Sequence, residues 1–132
     1  MRIESIDTNV LLRAAIDTGD NQTMPARALL AQPDCMFSVS LTTVAESMHV
    51  MVRHYSMSRE HSAASLRLAL SVPSIVCQTA IVLAALDIFE AHPKLSFEDC
   101  LAAEQAGAAG ATPLWTFDTK LAKQHPAAKL VV

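Results

Sequence analysis

Apolar and polar residues alternate at the start of the chain. Ile3 and Ile6 are interrupted by Glu4 and followed by Asp7, and the run breaks at Asp7-Thr8-Asn9 before Val10, Leu11 and Leu12 resume. That pattern predicts a buried strand, and Asp-Thr-Asn is turn and helix-cap chemistry. Short β-type runs recur at 36–40, 74–77, 114–117 and 129–132, making five predicted strands. Between them the spacing turns helical. Val44, Met48, Met51, Val52 and Tyr55 fall on one stripe of a helix that ends near Tyr55. Further helices are predicted at 9–17, 24–31, 59–70, 80–91, 97–110 and 119–124, with prolines at the edges of elements and alanine favouring helix throughout. Strands that alternate with helices imply an α/β fold: a mostly parallel sheet covered by helices on both faces.

Length and composition narrow this frame. At 132 residues, with no internal repeat, linker or low-complexity segment, the chain is expected to form one undivided domain over 1–132. Cys35, Cys77 and Cys100 are odd in number, lack Cys-x-x-Cys spacing and lie among apolar residues. Small packing groups in a reducing cytoplasm are the expectation. No apolar run approaches the roughly 20 residues of a membrane helix, so no membrane is expected among the partners. Three glycines cannot build a glycine-rich phosphate loop, which argues against a nucleotide cofactor. The net charge of −3 argues mildly against a partner held only through phosphate neutralisation.

Four acids change the picture. Asp7 ends the first strand, Glu46 begins the helix after the second, Asp99 begins the helix of "LSFEDCLAA", and Asp118 ends the strand of "PLWTFDTKLAK". In an open parallel sheet the carboxyl ends of the strands share an edge, so acids distant in sequence can converge. Each also has a plain structural explanation. Thr43 to Glu46 and Ser96 to Asp99 fit the capping-box pattern, and Asp118 can cap the helix after it. Asp7, preceded by an apolar strand and followed by Asn9, is the hardest to assign to capping alone. Four acids on one edge would repel one another unless a cation neutralises them, and oxygen-only ligands select a hard ion such as Mg²⁺ or Mn²⁺.

The segments "IDTNVLL", "TTVAES", "LSFEDCLAA" and "TFDTKLAK" resemble, in order and over nearly the whole chain, the PIN-domain family, in particular its VapC-type toxins. The resemblance implies a PIN fold with a five-stranded parallel sheet between helices. It implies a Mg²⁺-dependent endoribonuclease site, with Asp7, Glu46, Asp99 and Asp118 as catalytic metal ligands and Asn9 and Thr116 as supporting polar residues. It also implies an RNA substrate, a small antitoxin protein that folds on binding, and a homodimer. The stripe of Met48, Met51 and Tyr55 offers adaptable apolar area for one of these contacts. Without the four site carboxylates the formal charge moves from −3 to +1, which weakens the objection to RNA. Arg13, Arg53, Lys120 and Lys123 can meet phosphates, although solvated surface charge is the plainer role for each.

Other readings compete. A phosphorylation receiver would need two adjacent acids where only Asp7 beside Thr8 is found. A di-metal helical bundle would need a second copy of Glu46-Ser47-Met48-His49. A housekeeping PIN nuclease without an antitoxin, or a PIN module that binds metal or RNA without cleaving, would share the fold.

Overall fold

Seven helices and five strands alternate in a computed structural model that describes residues 1–132. In chain order they are β1 (Arg2–Ser5), α1 (Thr8–Ala15), α2 (Thr23–Leu30), β2 (Cys35–Ser38), α3 (Leu41–Arg53), α4 (Arg59–Leu70), β3 (Ile75–Val76), α5 (Thr79–Ala91), α6 (Phe97–Ala108), β4 (Leu114–Thr116), α7 (Thr119–Gln124) and β5 (Ala128–Leu130). The chain divides into two compact units, Met1–Thr79 and Ala80–Val132. No helix is long and apolar enough to cross a membrane.

In the first unit β1 pairs with β2 from Arg2↔Cys35 to Ser5↔Ser38, and β2 pairs with β3 at Phe37↔Ile75 and Ser38↔Val76, all in parallel. Parallel strands cannot be joined by a tight hairpin, so each pair needs a crossover. Helices α1 and α2 supply the first, and α3 and α4 the second. Cys35 and Phe37 point to the core along β2, with the period of two that a strand requires. Helix α3 buries Val44, Ser47, Met48 and Met51 at spacings of three and four, and packs on α1 and α4. Pro25 lies in the first turn of α2, where its missing N–H removes no intrahelical bond.

Two expectations are corrected here. The residues of β1 are exposed, Ile3 at 71%, and burial starts only at Ile6. Ile3 and Ile6 are an odd number of positions apart, so an extended chain sends them to opposite faces. Met48 and Met51 are 2% and 0% exposed, so both are core and neither is free to meet a partner; Tyr55 alone of that stripe is open.

In the second unit β4 pairs with β5 in parallel, from Leu114↔Ala128 to Thr116↔Leu130, with α7 as the crossover. The sequence predicts one five-stranded sheet; the strands pair as three plus two, β1-β2-β3 and β4-β5. Helices α6 and α7 pack against β4. Phe89 of α5 meets Phe97 of α6 edge to face at 5.7 Å, an arrangement that suits the quadrupoles of the two rings.

His125, 5% exposed, ties the end of α7 to α6. Its Nε2 lies 2.9 Å from Glu104 Oε1, and its Nδ1 accepts the Ala127 N–H at 3.0 Å. With Nδ1 accepting, the ring proton sits on Nε2 and is donated to the carboxylate.

All three cysteines are free, Cys35 and Cys100 buried and Cys77 partly so. Burial pushes the thiol pKa of Cys35 and of Cys77 up, helped at Cys35 by the Glu4 carboxylate 3.3 Å away. The expectation of small packing thiols is met at Cys35 and Cys100.

His125→Ala removes both ring contacts and leaves the Glu104 carboxylate without its partner. The expected loss is about 2–3 kcal/mol in urea unfolding, against less than about 0.5 kcal/mol for His61→Ala at an exposed position.

Candidate metal centre

The first helix of the chain starts on an acid. Helix α1 opens with N–H groups that have no acceptor inside the helix, and Asp7 supplies one: its Oδ1 accepts the Val10 N–H at 3.2 Å. Asp7 is therefore a cap as well as the residue that follows β1, and it lies just beyond the carboxyl end of that strand rather than within it. Its other oxygen, Oδ2, carries no hydrogen bond. The next residue reaches a second acid, as the Thr8 hydroxyl donates to Glu46 Oε2 at 2.9 Å.

Glu46 is no cap. Helix α3 begins at Leu41, and Ser40 is its N-cap, accepting the Thr43 N–H at 3.1 Å. The capping-box reading of Thr43 to Glu46 fails because the helix starts a turn earlier, leaving Glu46 exposed in the second turn with Thr8 as its partner. Ser5, Ile6, Asp7, Ser38, Ser40 and Thr43 line a depression of about 400 Å³ at the carboxyl ends of β1 and β2. That is the edge on which parallel sheets place their ligands. Its ring of hydroxyls has no spacing in the sequence that would single it out.

The second unit carries the other two acids. Asp99 is in the first turn of α6, where Ser96 caps by accepting the Asp99 N–H at 3.1 Å. That half of the expected capping box forms, and the Asp99 carboxylate stays half-buried without a hydrogen-bond partner. Asp118 caps α7: its Oδ1 accepts from Lys120 N at 2.8 Å and from Leu121 N at 3.3 Å. Thr116 Oγ1 accepts the Asp118 N–H at 2.9 Å, so Thr116 sets the backbone from which this carboxylate projects. Within neither unit do three or more His, Cys, Asp or Glu side chains gather into a metal-holding group.

Comparison with protein families decides the class of the chain: the PIN-domain model matches residues 5–125. The chain belongs to the PIN-domain family. No curated protein matches it. PIN domains are generally nucleases, and those nucleases usually use divalent metals such as Mg²⁺. The donors of this PIN domain fit such an ion by type. They are oxygens throughout, and Asp7, Glu46, Asp99 and Asp118 each keep at least one carboxylate oxygen free of any hydrogen bond to the protein.

Beside Asp7, the PIN domain holds a buried cation that sequence patterning did not find. Arg13, expected on the surface, is 9% exposed. Its Nη1 donates to the carbonyl and the side-chain Oδ1 of Asn9, both at 3.3 Å, and its Nη2 donates to Asp20 Oδ2 at 2.7 Å. Asn9 is thus aimed by Arg13. The available signal was Asp20, seven positions on in "DTGD". Asp17 and Asp20 there fold the segment by accepting the N–H groups of Gly19 and Gln22, each at 2.9 Å, and Gly19 takes φ +69°.

The Gln22 N–H, and after it the Arg13 guanidinium, hold the Asp20 carboxyl below its usual pKa of 3.8. A depressed folded-state pKa contributes stability that is fully present above the unfolded value and is lost as pH falls through the folded one. The melting temperature is therefore expected to drop as pH falls below 3.8, and to drop less steeply in Asp20→Asn. Thermal melts of both proteins across acidic pH check this.

Proposed function

We propose that this PIN domain is a Mg²⁺-dependent endoribonuclease, with Mn²⁺ able to substitute, and that it acts in the cytoplasm as the toxin of a toxin–antitoxin pair. In this reading Asp7, Glu46, Asp99 and Asp118 hold the metal, Asn9 and Thr116 support them, and residues 1–132 act as one domain with one five-stranded sheet. The observation that carries it is the position of Asp7. The residue meets the needs of α1 with one oxygen and keeps the other free in the wall of a hydroxyl-lined depression, beside the Thr8–Glu46 contact. Four carboxylates around one cation relieve a repulsion that would otherwise oppose their gathering.

Held by Asp7, Glu46, Asp99 and Asp118, a divalent ion would supply charge stabilisation for the departing oxygen and would activate a water. The chain's own residues do the remaining work. Thr8 fixes the rotamer of Glu46, Thr116 fixes the backbone of Asp118, and the hydroxyls of Ser5, Ser38 and Thr43 offer neutral donors to phosphate oxygens. The proposed partners are RNA, a small antitoxin protein that folds on binding, and a second copy of the chain. Sedimentation is expected to show a dimer, and purification from the native host is expected to bring down a small protein whose reading frame adjoins this one. A dimer without that protein would favour a housekeeping nuclease.

Asp7→Asn tests the mechanism, because asparagine caps a helix about as well as aspartate but lacks the charge that holds a cation. The variant should melt within about 0.5 kcal/mol of the parent and cleave structured RNA about 100-fold more slowly or worse. Mg²⁺ at 100 times its Kd should stabilise the parent by about 2.7 kcal/mol and leave Asp7→Asn nearly unmoved. Parent-like cleavage by nuclease-free Asp7→Asn, or a parent that melts identically with Mg²⁺ and with chelator, would overturn the reading.

A further inference from the structure

Asp7 lies in the walls of two cavities. Besides the depression at the strand ends, it borders a groove of about 590 Å³ between α1 and α2. That volume is in the range of small-molecule sites. Val10, Pro25, Ala26 and Leu29 give the groove apolar sides, while Asn9, Arg13, Asn21 and Gln22 give it polar ones.

Its charge is not that of a phosphate site. The Arg13 guanidinium is already met by Asp20 at 2.7 Å, and Asp7 adds a further negative charge. An anion would be repelled, whereas a neutral planar group would not. The polar groups are nonetheless underused. The exposed side-chain amides of Asn21 and Gln22 make no bond within the protein although each offers a donor and an acceptor. The segment carrying both amides is held in shape by the turns at Asp17 and Asp20. Apolar sides and unspent amides match the faces and edge of a nucleobase.

We propose that the groove between α1 and α2 binds a nucleobase of the RNA strand next to the phosphate that is cleaved, with Asn21 and Gln22 reading the base edge. The proposal rests on the nuclease reading for the identity of the strand, and it makes the groove the source of sequence preference. Asp7 places the two sites side by side, so a base seated in the groove sets which phosphate reaches the depression.

The test uses uncharged nucleosides and ribose 5-phosphate, titrated into the full chain in the presence of chelator and followed by NMR of the Asn and Gln side-chain amides. At least one nucleoside should bind tenfold or more tighter than ribose 5-phosphate. The double variant Asn21→Ala, Gln22→Ala changes two exposed residues, and Gln22 makes no side-chain cap bond to α2. It should lose that binding by about tenfold and cleave RNA at a broadened set of sequences with unchanged Mg²⁺ dependence. Asp7→Asn should bind the nucleoside while failing to cleave. Cleavage by the parent without nucleoside binding, or with a sequence preference that the double variant leaves intact, overturns the base site and spares the nuclease. Nucleoside binding that responds to the double variant, in a protein that cleaves no RNA, overturns the nuclease reading and keeps the base site. Failure of both binding and cleavage overturns both.

Discussion

The first N–H groups of a helix have no acceptor within it, and this chain must meet that requirement beside nearly every strand. Parallel pairing forces a crossover after each paired strand, and here the crossovers are helices. Ser40, Ser58 and Ser96 cap α3, α4 and α6 with hydroxyls. Asp7 and Asp118 cap α1 and α7 with carboxylates. A serine satisfies the backbone and adds no charge. An aspartate satisfies it equally well and leaves a charged oxygen over, at the place where a parallel sheet receives its ligands. Folding alone would accept serine at 7 and 118, so the carboxylates there exceed what capping asks, a surplus that the proposed metal site would use.

The elements were legible because local rules govern them. The stripe through Val44, Met48 and Met51 is a helix by spacing alone, and Ser96 announces α6 by its own chemistry. Pairing was less legible, because β3 has two residues and β4 and β5 three each, too few to carry a pattern that selects a neighbour. β1 misled for a related reason: two isoleucines three apart look apolar in a window yet serve no common face of a strand. Among the acids, residue type was readable and local role only partly so. Asp118 can cap by type and does, Asp7 is the hardest to assign to capping alone and yet caps, and Glu46 fits a capping box by pattern but does not cap. The start of α3 at Leu41 decided the last of these, a shift of one turn that propensity cannot resolve.

Arg13 shows what patterning cannot see. A lone arginine on a helix reads as solvated surface, because its burial depends on a partner brought back by a turn. Asp20 is that partner, and the turn exists because Asp17, Gly19 and Asp20 each contribute to it. An arginine is suited to this place where a lysine is not: its planar fork reaches the Asn9 carbonyl, the Asn9 side chain and Asp20 together. One buried guanidinium thus links the amide next to Asp7 to the loop that shapes the groove.

The three thiols differ in access more than in chemistry. Cys35 and Cys100 are sealed in the core, while Cys77 remains partly open in the short segment between β3 and α5, close to where residues 1–79 give way to 80–132. Its raised pKa keeps it protonated at neutral pH, so access and not acidity sets it apart from its shielded counterparts. The chain therefore carries a natural attachment point for a fluorophore or spin label at the junction of its two halves, placed without engineering and away from all four acids in sequence.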